Sequence, residues 1–262
     1  MLLFKRILNF SKEAGGPADK RQIQRYAVGQ RFPFKAVLNL TGHDGEGKAI
    51  LNDEQGQDWA GRLSNLSASG ASIQVHSAAI GIRGETCRFK LSLDHYQLEI
   101  PGIIAHFRHC PQYVLCGFAF NFPDSETRKA YQQLLEPVAI GASLVPVEAK
   151  KVKQDTQGLH KEQFRGTAAA LLNVWRQAPA GGICSFDFRM NDYGVRWSQS
   201  MAEVEAYGMF KISPTGRITA SPFVQLTTAQ HEEVRWLFCL AVPNLAKAVP
   251  PDIRKFLADL VA

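Results

Sequence analysis

The sequence predicts a mainly β protein in two parts: an N-terminal six-stranded antiparallel β-barrel with a C-terminal helix, then a separate α+β domain. Three observations carry this. Between Phe32 and Phe122, six runs rich in alternating apolar, β-branched or aromatic residues are joined mostly by short polar turns. After Asp124 the period changes, and Tyr131, Leu134, Leu135 and Val138 fall at i, i+3, i+4 and i+7 of a helix. Residues 141–160 then lose periodicity before a second set of patterned segments begins.

Taken in order, residues 1–19 read as a leader ending in Gly15-Gly16-Pro17. Lys5 and Arg6 break its apolar run and no small-residue cleavage site follows. A short amphipathic helix packed on the body therefore fits better than a signal peptide. The barrel domain is placed at 20–140. Its first strand is Phe32–Leu40, with Phe34, Ala36, Leu38 and Leu40 on one face. The Gly-, Asp- and Glu-rich stretch 41–57 reads as a long loop holding a short strand at Lys48–Leu51. Strands at Trp59–Leu63, Ala71–Val75, Glu85–Leu93, Tyr96–Phe107 and Tyr113–Phe122 follow, and Asp124 or Ser125 caps a helix running to about Glu136.

Residues 141–160 read as a linker, with Pro146 and the charged run Glu148–Lys153. The second domain spans 161–262. Phe164, Ala168, Leu171, Leu172 and Trp175 mark one face of an expected helix. Phe186, Phe188 and Met190 alternate with Asp187 and Arg189 in a strand that turns back at Asn191–Gly194 toward Val195 and Trp197. Val204–Ile212 and Arg217–Leu226 form a further hairpin. Thr227 and Gln230 have the spacing of a capping box ahead of a helix that buries Val234, Leu237, Phe238 and Ala241. Pro251 opens a last helix with Ile253, Phe256, Leu257 and Leu260 inward.

Composition excludes several classes. An apolar content of 45% supports a packed core rather than disorder. The five cysteines are scattered, with no C-x-x-C, which argues against a disulfide framework or zinc ribbon and for a reducing cytoplasm. No apolar run approaches the ~20 residues of a membrane span. No catalytic motif is visible, so no enzyme activity and no cofactor are expected. His106, His109 and Cys110 are potential metal ligands, but on a strand the two histidines point to opposite faces, and no metal site is expected. Net charge is +6, and residues 1–35 hold eight Lys/Arg against Glu13 and Asp19, a local field that draws anions.

Two motifs sharpen this. Lys20-Arg21-Gln22-Ile23-Gln24-Arg25 contains Arg-x-x-x-Arg just ahead of the first expected strand, and Asn65-Leu66-Ser67-Ala68-Ser69-Gly70 contains Asn-x-Ser-x-x-Gly between two strands. An arginine fork donates to guanine O6 and N7 together, pairs with phosphate, and stacks its flat face on a base. Asn65 and Ser67 offer short polar side chains, and Gly70 permits positive φ and close approach of a ligand to the backbone. Each motif alone also fits a bland reading, a solvated basic face or an ordinary Ser/Gly turn. In this order, residues 20–140 resemble the PilZ domain family, the bacterial receptor module for cyclic diguanylate (c-di-GMP). The resemblance implies a barrel closed by a helix, with Arg21 and Arg25 clamping guanines and phosphates and Asn65, Ser67 and Gly70 forming the barrel-side wall. It associates the residue before the first arginine, Lys20, with ligand stoichiometry. It also implies ordering of residues 20–31 on binding and a signal passed to the C-terminal domain or a protein partner. The alternatives are a basic nucleic-acid-binding barrel, not the expected partner class, and an adaptor whose barrel is only a scaffold. The C-terminal domain resembles no recognised family.

Overall fold

The computed structural model describes residues 24–29, 31–49, 56–93, 96–179, 181–212 and 218–260. These fall into two compact units that divide between Leu135 and Glu136. The motif residues Lys20 and Arg21 lie outside the described residues.

The first unit holds β1 (Arg25–Ala27), β2 (Lys35–Asp44), β3 (Gln57–Ser67), β4 (Gly70–His76), β5 (Glu85–Leu93), β6 (Tyr96–His109), β7 (Tyr113–Phe120) and the start of α1 (Ser125–Ser143). Strands run in the order β3-β2-β5-β6-β7-β4, and β4 pairs back onto β3, so six antiparallel strands close a barrel. Inward residues alternate with outward ones, and Leu38, Ile73, Phe89, Ile100 and Cys116 fill the interior. Asp124 caps α1 by accepting from the Thr127 amide at 2.6 Å, and that bond holds its carboxyl below the usual range. Tyr131 anchors the helix. Its ring lies edge-on to Phe120 at 4.7 Å, and its hydroxyl donates to the Ser67 carbonyl at 2.8 Å.

Three local expectations change. The 41–57 stretch is not one long loop: β2 runs to Asp44, His43 bridges to Ala49, and β3 begins at Gln57. The rest of the expected Lys48–Leu51 strand lies outside the described residues. Arg25–Ala27, expected to become ordered with ligand, already forms β1 opposite Asn65–Ser67, and Val28 is buried with its amide bonded to the Ser64 carbonyl at 3.0 Å. Three residues are too short to show a period, so only a partner strand reveals them. Finally, α1 continues to Ser143 rather than ending near Glu136.

The second unit is a meander of seven antiparallel strands in sequence order: β8 (Val145–Pro146), β9 (His160–Arg165), β10 (Leu171–Arg176), β11 (Ile183–Met190), β12 (Tyr193–Ser198), β13 (Glu205–Ile212) and β14 (Ile218–Val224). Helices α2 (Thr228–Ala241) and α3 (Pro251–Leu260) cover one face, where Phe238 stacks on Phe186 at 5.9 Å and Phe256 meets Trp197 edge-on at 5.3 Å. The Thr227–Gln230 capping box opens α2 and Pro251 opens α3, as the sequence predicts.

The helix expected through 164–175 is two strands instead. The chain reverses at Ala168 and Ala169, both at positive φ (51° and 53°), a conformation no right-handed helix contains. In β10 the inward residues are Leu172 and Val174, while Trp175 is on the other face, donating to Asp155 at 2.9 Å beneath Lys161. Apolar residues on both faces blur the period of two, and the alanines mimic a helix former's composition. Within the expected linker 141–160, β8 pairs with β9, and Leu144 and Val152 are buried. No described helix is long and apolar enough to cross a membrane.

Candidate functional site

Strand register arranges the outer face of the barrel into rows. One row crosses from Arg25 on β1 to Ser67 on β3, Gly70 on β4 and Ala119 on β7. The next outward row runs from Asn65 to Ser72, Gly117 and His106. Between them lie inward residues such as Leu66 and Phe118, which are buried. The two rows frame a cleft of about 90 Å³. Its floor is made of small residues, Gly70, Ser72, Gly117 and Ala119, and its rims carry Arg25, Asn65 and His106.

The structure thus brings Arg25, Asn65, Ser67 and Gly70 to one cleft, though the two motifs lie forty residues apart. Pairing of β1 with β3 does this, since it sets Arg25 opposite Ser67. Arg25 is exposed with no ion pair among the described residues, and the Asn65 side chain is half-buried with no hydrogen bond among them. Both keep free donors. Ser67 differs: it is 4% exposed, and its hydroxyl donates to the Gly70 carbonyl at 3.0 Å, locking the β3–β4 turn. Only its lone pairs remain for another group.

Gly70 also differs from expectation. Its φ is not positive. A Cβ there would overlap the Phe118 carbonyl oxygen on β7, so glycine is required for close approach of a neighbouring strand, not for a turn.

His106 is the residue sequence reasoning left out of the site. Its ring lies over Gly117, so closely that a Cβ at 117 would overlap the imidazole. The bulge between Ile104 and His106 lies just beyond this pair, on the side away from the hairpin. The signal was available. The β6–β7 hairpin closes at Cys110 and Tyr113, and counting back four residues on each side sets His106 opposite Gly117. His109 meets the ring of Phe107 instead, and among the described residues no three metal-type ligands cluster.

The barrel thus carries a cleft with polar rims over a floor of small residues. Residues 19–136 match the family model of the PilZ domain. This part of the chain is a PilZ domain, of the family of c-di-GMP receptor modules, which bind rather than catalyse. No curated protein matches the chain.

Proposed function

We propose that the chain is a cytoplasmic c-di-GMP receptor whose barrel takes the ligand on the cleft bounded by Arg25, Asn65 and His106. The supporting observation is convergence: Arg25 of the first motif meets Asn65, Ser67 and Gly70 of the second at one cleft, and among the described residues Arg25 and Asn65 keep side-chain donors free. The Arg25 guanidinium forks onto guanine O6 and N7 or onto a phosphate, a pairing worth roughly 1–3 kcal/mol. Lys20 and Arg21 supply further cationic contacts from the preceding residues. Asn65 reads a polar edge of the ligand, the His106 ring over Gly117 offers a flat face for a base, and Ser67 holds the turn that positions Asn65. The signal passes to the C-terminal domain or to a protein partner. Because β1 already pairs with β3, ligand-induced protection of amides is expected upstream of Gln24 and not at residues 25–28.

Titration calorimetry of the full chain with c-di-GMP tests this. Arg25→Ala should weaken binding at least about tenfold, equivalent to ~1.4 kcal/mol. An Arg25→Ala protein that binds like wild type would remove the assigned site. Equal affinity for single-stranded RNA, with a steep salt dependence, would favour the nucleic-acid reading instead.

A further inference from the structure

A second cationic row lies beside the cleft. Next to the row of Asn65, Ser72, Gly117 and His106, the register sets Arg62 on β3 opposite Gln74 on β4, Gln74 opposite Leu115 on β7, and Leu115 opposite Arg108 on β6. These four share the outward face, because the intervening Leu63, Ile73 and Cys116 are buried in the barrel. Arg62 and Arg108 are exposed, and neither has an ion pair or side-chain hydrogen bond among the described residues. They stand on the two flanks, with shorter side chains between them.

The cleft cannot hold a cyclic dinucleotide by itself. Pockets for ligands of drug size run to ~300–1,000 Å³, against about 90 Å³ here. The ligand must extend over neighbouring surface. Toward the α1 end, Ala68 and Ser69 of the β3–β4 turn and the 41% exposed Ile103 bring no charge, and the exposed cations there, Arg128 and Lys129, are on the helix and not on the strands that frame the cleft. In the other direction stand the two free guanidinium groups.

We infer that Arg62, Gln74 and Arg108 form an additional anion subsite, which takes a phosphate of the ligand portion extending beyond the cleft. This rests on the proposed c-di-GMP reading and adds three residues outside both motifs. Gln74 donates through its amide between the two arginines, and Leu115 supports the apolar face of a sugar or base. The pairing is solvent-exposed, so its contribution is modest and screened by salt.

Titrations of the full chain with c-di-GMP, at low salt and at about 0.5 M salt, test the subsite. The double variant Arg62→Gln/Arg108→Gln should weaken binding about two- to fivefold at low salt, with the difference shrinking at high salt. Arg83→Gln, an exposed arginine in the turn before β5, controls for loss of general positive charge and should change binding little. If the double variant binds like wild type at low salt, or no worse than Arg83→Gln, the subsite is overturned. Arg25→Ala keeps the two claims apart. Weak binding by Arg25→Ala with an unaffected double variant overturns only the subsite, while an unaffected Arg25→Ala, or a wild type that does not bind, overturns the receptor reading and the subsite with it.

Discussion

The two units each hold a seven-stranded antiparallel sheet, and both pair some of their charges, but the barrel, beside Lys90–Asp58 at 2.9 Å and Arg88–Glu99 at 3.7 Å, also carries strand arginines that no carboxylate meets among the described residues. On the barrel, Arg25, Arg62 and Arg108 project from the sheet without ion pairs among the described residues. On the meander, charges pair internally. Arg176, 4% exposed along its side chain, bridges Glu162 at 2.9 Å and Asp252 at 2.6 Å. Asp187 accepts from Arg189 at 2.8 Å and also takes the Tyr207 hydroxyl, while Arg196 pairs with Glu205 at 2.8 Å and lies over the Phe223 ring. Arginine on a strand therefore has no fixed meaning. Where a carboxylate lies within reach, on its own strand, a neighbouring strand or a covering helix, it serves the fold. Where serine, glutamine or leucine faces it and no carboxylate among the described residues reaches it, it is available to a ligand.

The largest expected effect attacks this pairing. Asp187→Ala leaves the buried Tyr207 hydroxyl and the half-buried Arg189 without their acceptor. The loss should be about 3 kcal/mol of stability in the second unit. Three of the four tryptophans, Trp175, Trp197 and Trp236, belong to that unit, so tryptophan fluorescence during urea unfolding reports mainly on it. Ligand affinity should not change. An unchanged midpoint would mean these charges are as dispensable as those on the barrel.

The reverse attack is on the small residues of the barrel. Gly70→Val forces β4 from the Phe118 carbonyl, a backbone group that cannot swing aside, and should cost ~1–3 kcal/mol as well as ligand binding. Gly117→Val meets the His106 ring first, a side chain that can rotate away. It should leave stability nearer wild type while filling the cleft. Equal destabilisation by both would show that the barrel floor serves packing alone. A step smaller, Tyr131→Phe removes the bond to the Ser67 carbonyl and should cost ~1 kcal/mol in thermal unfolding of the barrel.

The barrel was legible where one face is buried. Phe34, Ala36, Leu38 and Leu40 alternate cleanly because their neighbours meet solvent. The motifs were legible as spacing, but their meeting place was not, since it depends on β1, a strand without periodicity. Ser67 and Gly70 were assigned to the right hairpin, yet their physical roles follow from a local hydrogen bond and from a strand forty-eight residues away, neither of which a motif encodes. In the second unit, Leu171, Leu172 and Trp175 misled because both faces of β10 carry apolar residues. The capping box at Thr227 was legible because every atom of it is local.

The smallest expected effect concerns pH. Burial pushes the Asp252 carboxyl up, but the hydrogen bond and charge of Arg176 outweigh it, so its folded-state pKa lies below the ordinary carboxylate value. A depressed carboxylate pKa contributes stability above the unfolded value, and that stability is lost as pH falls through the folded one. Wild type should therefore lose part of the second unit's stability on acidification through the carboxylate range. Asp252→Asn lacks this contribution at neutral pH and should fall less steeply, so the two profiles converge in acid. The Asp252 side chain is 58% exposed, which limits the neutral-pH difference to less than about 1 kcal/mol. Asp155, also held low despite partial burial by Lys161 and Trp175, remains in both proteins and leaves a common acid limb. Thermal midpoints of both proteins, taken from neutral pH down to about pH 3 and followed by tryptophan fluorescence, provide the check. Parallel profiles would mean that Arg176 draws its stabilisation from Glu162 alone, and that Asp252 belongs with the free surface charges of the barrel rather than with the internal pairs of the meander.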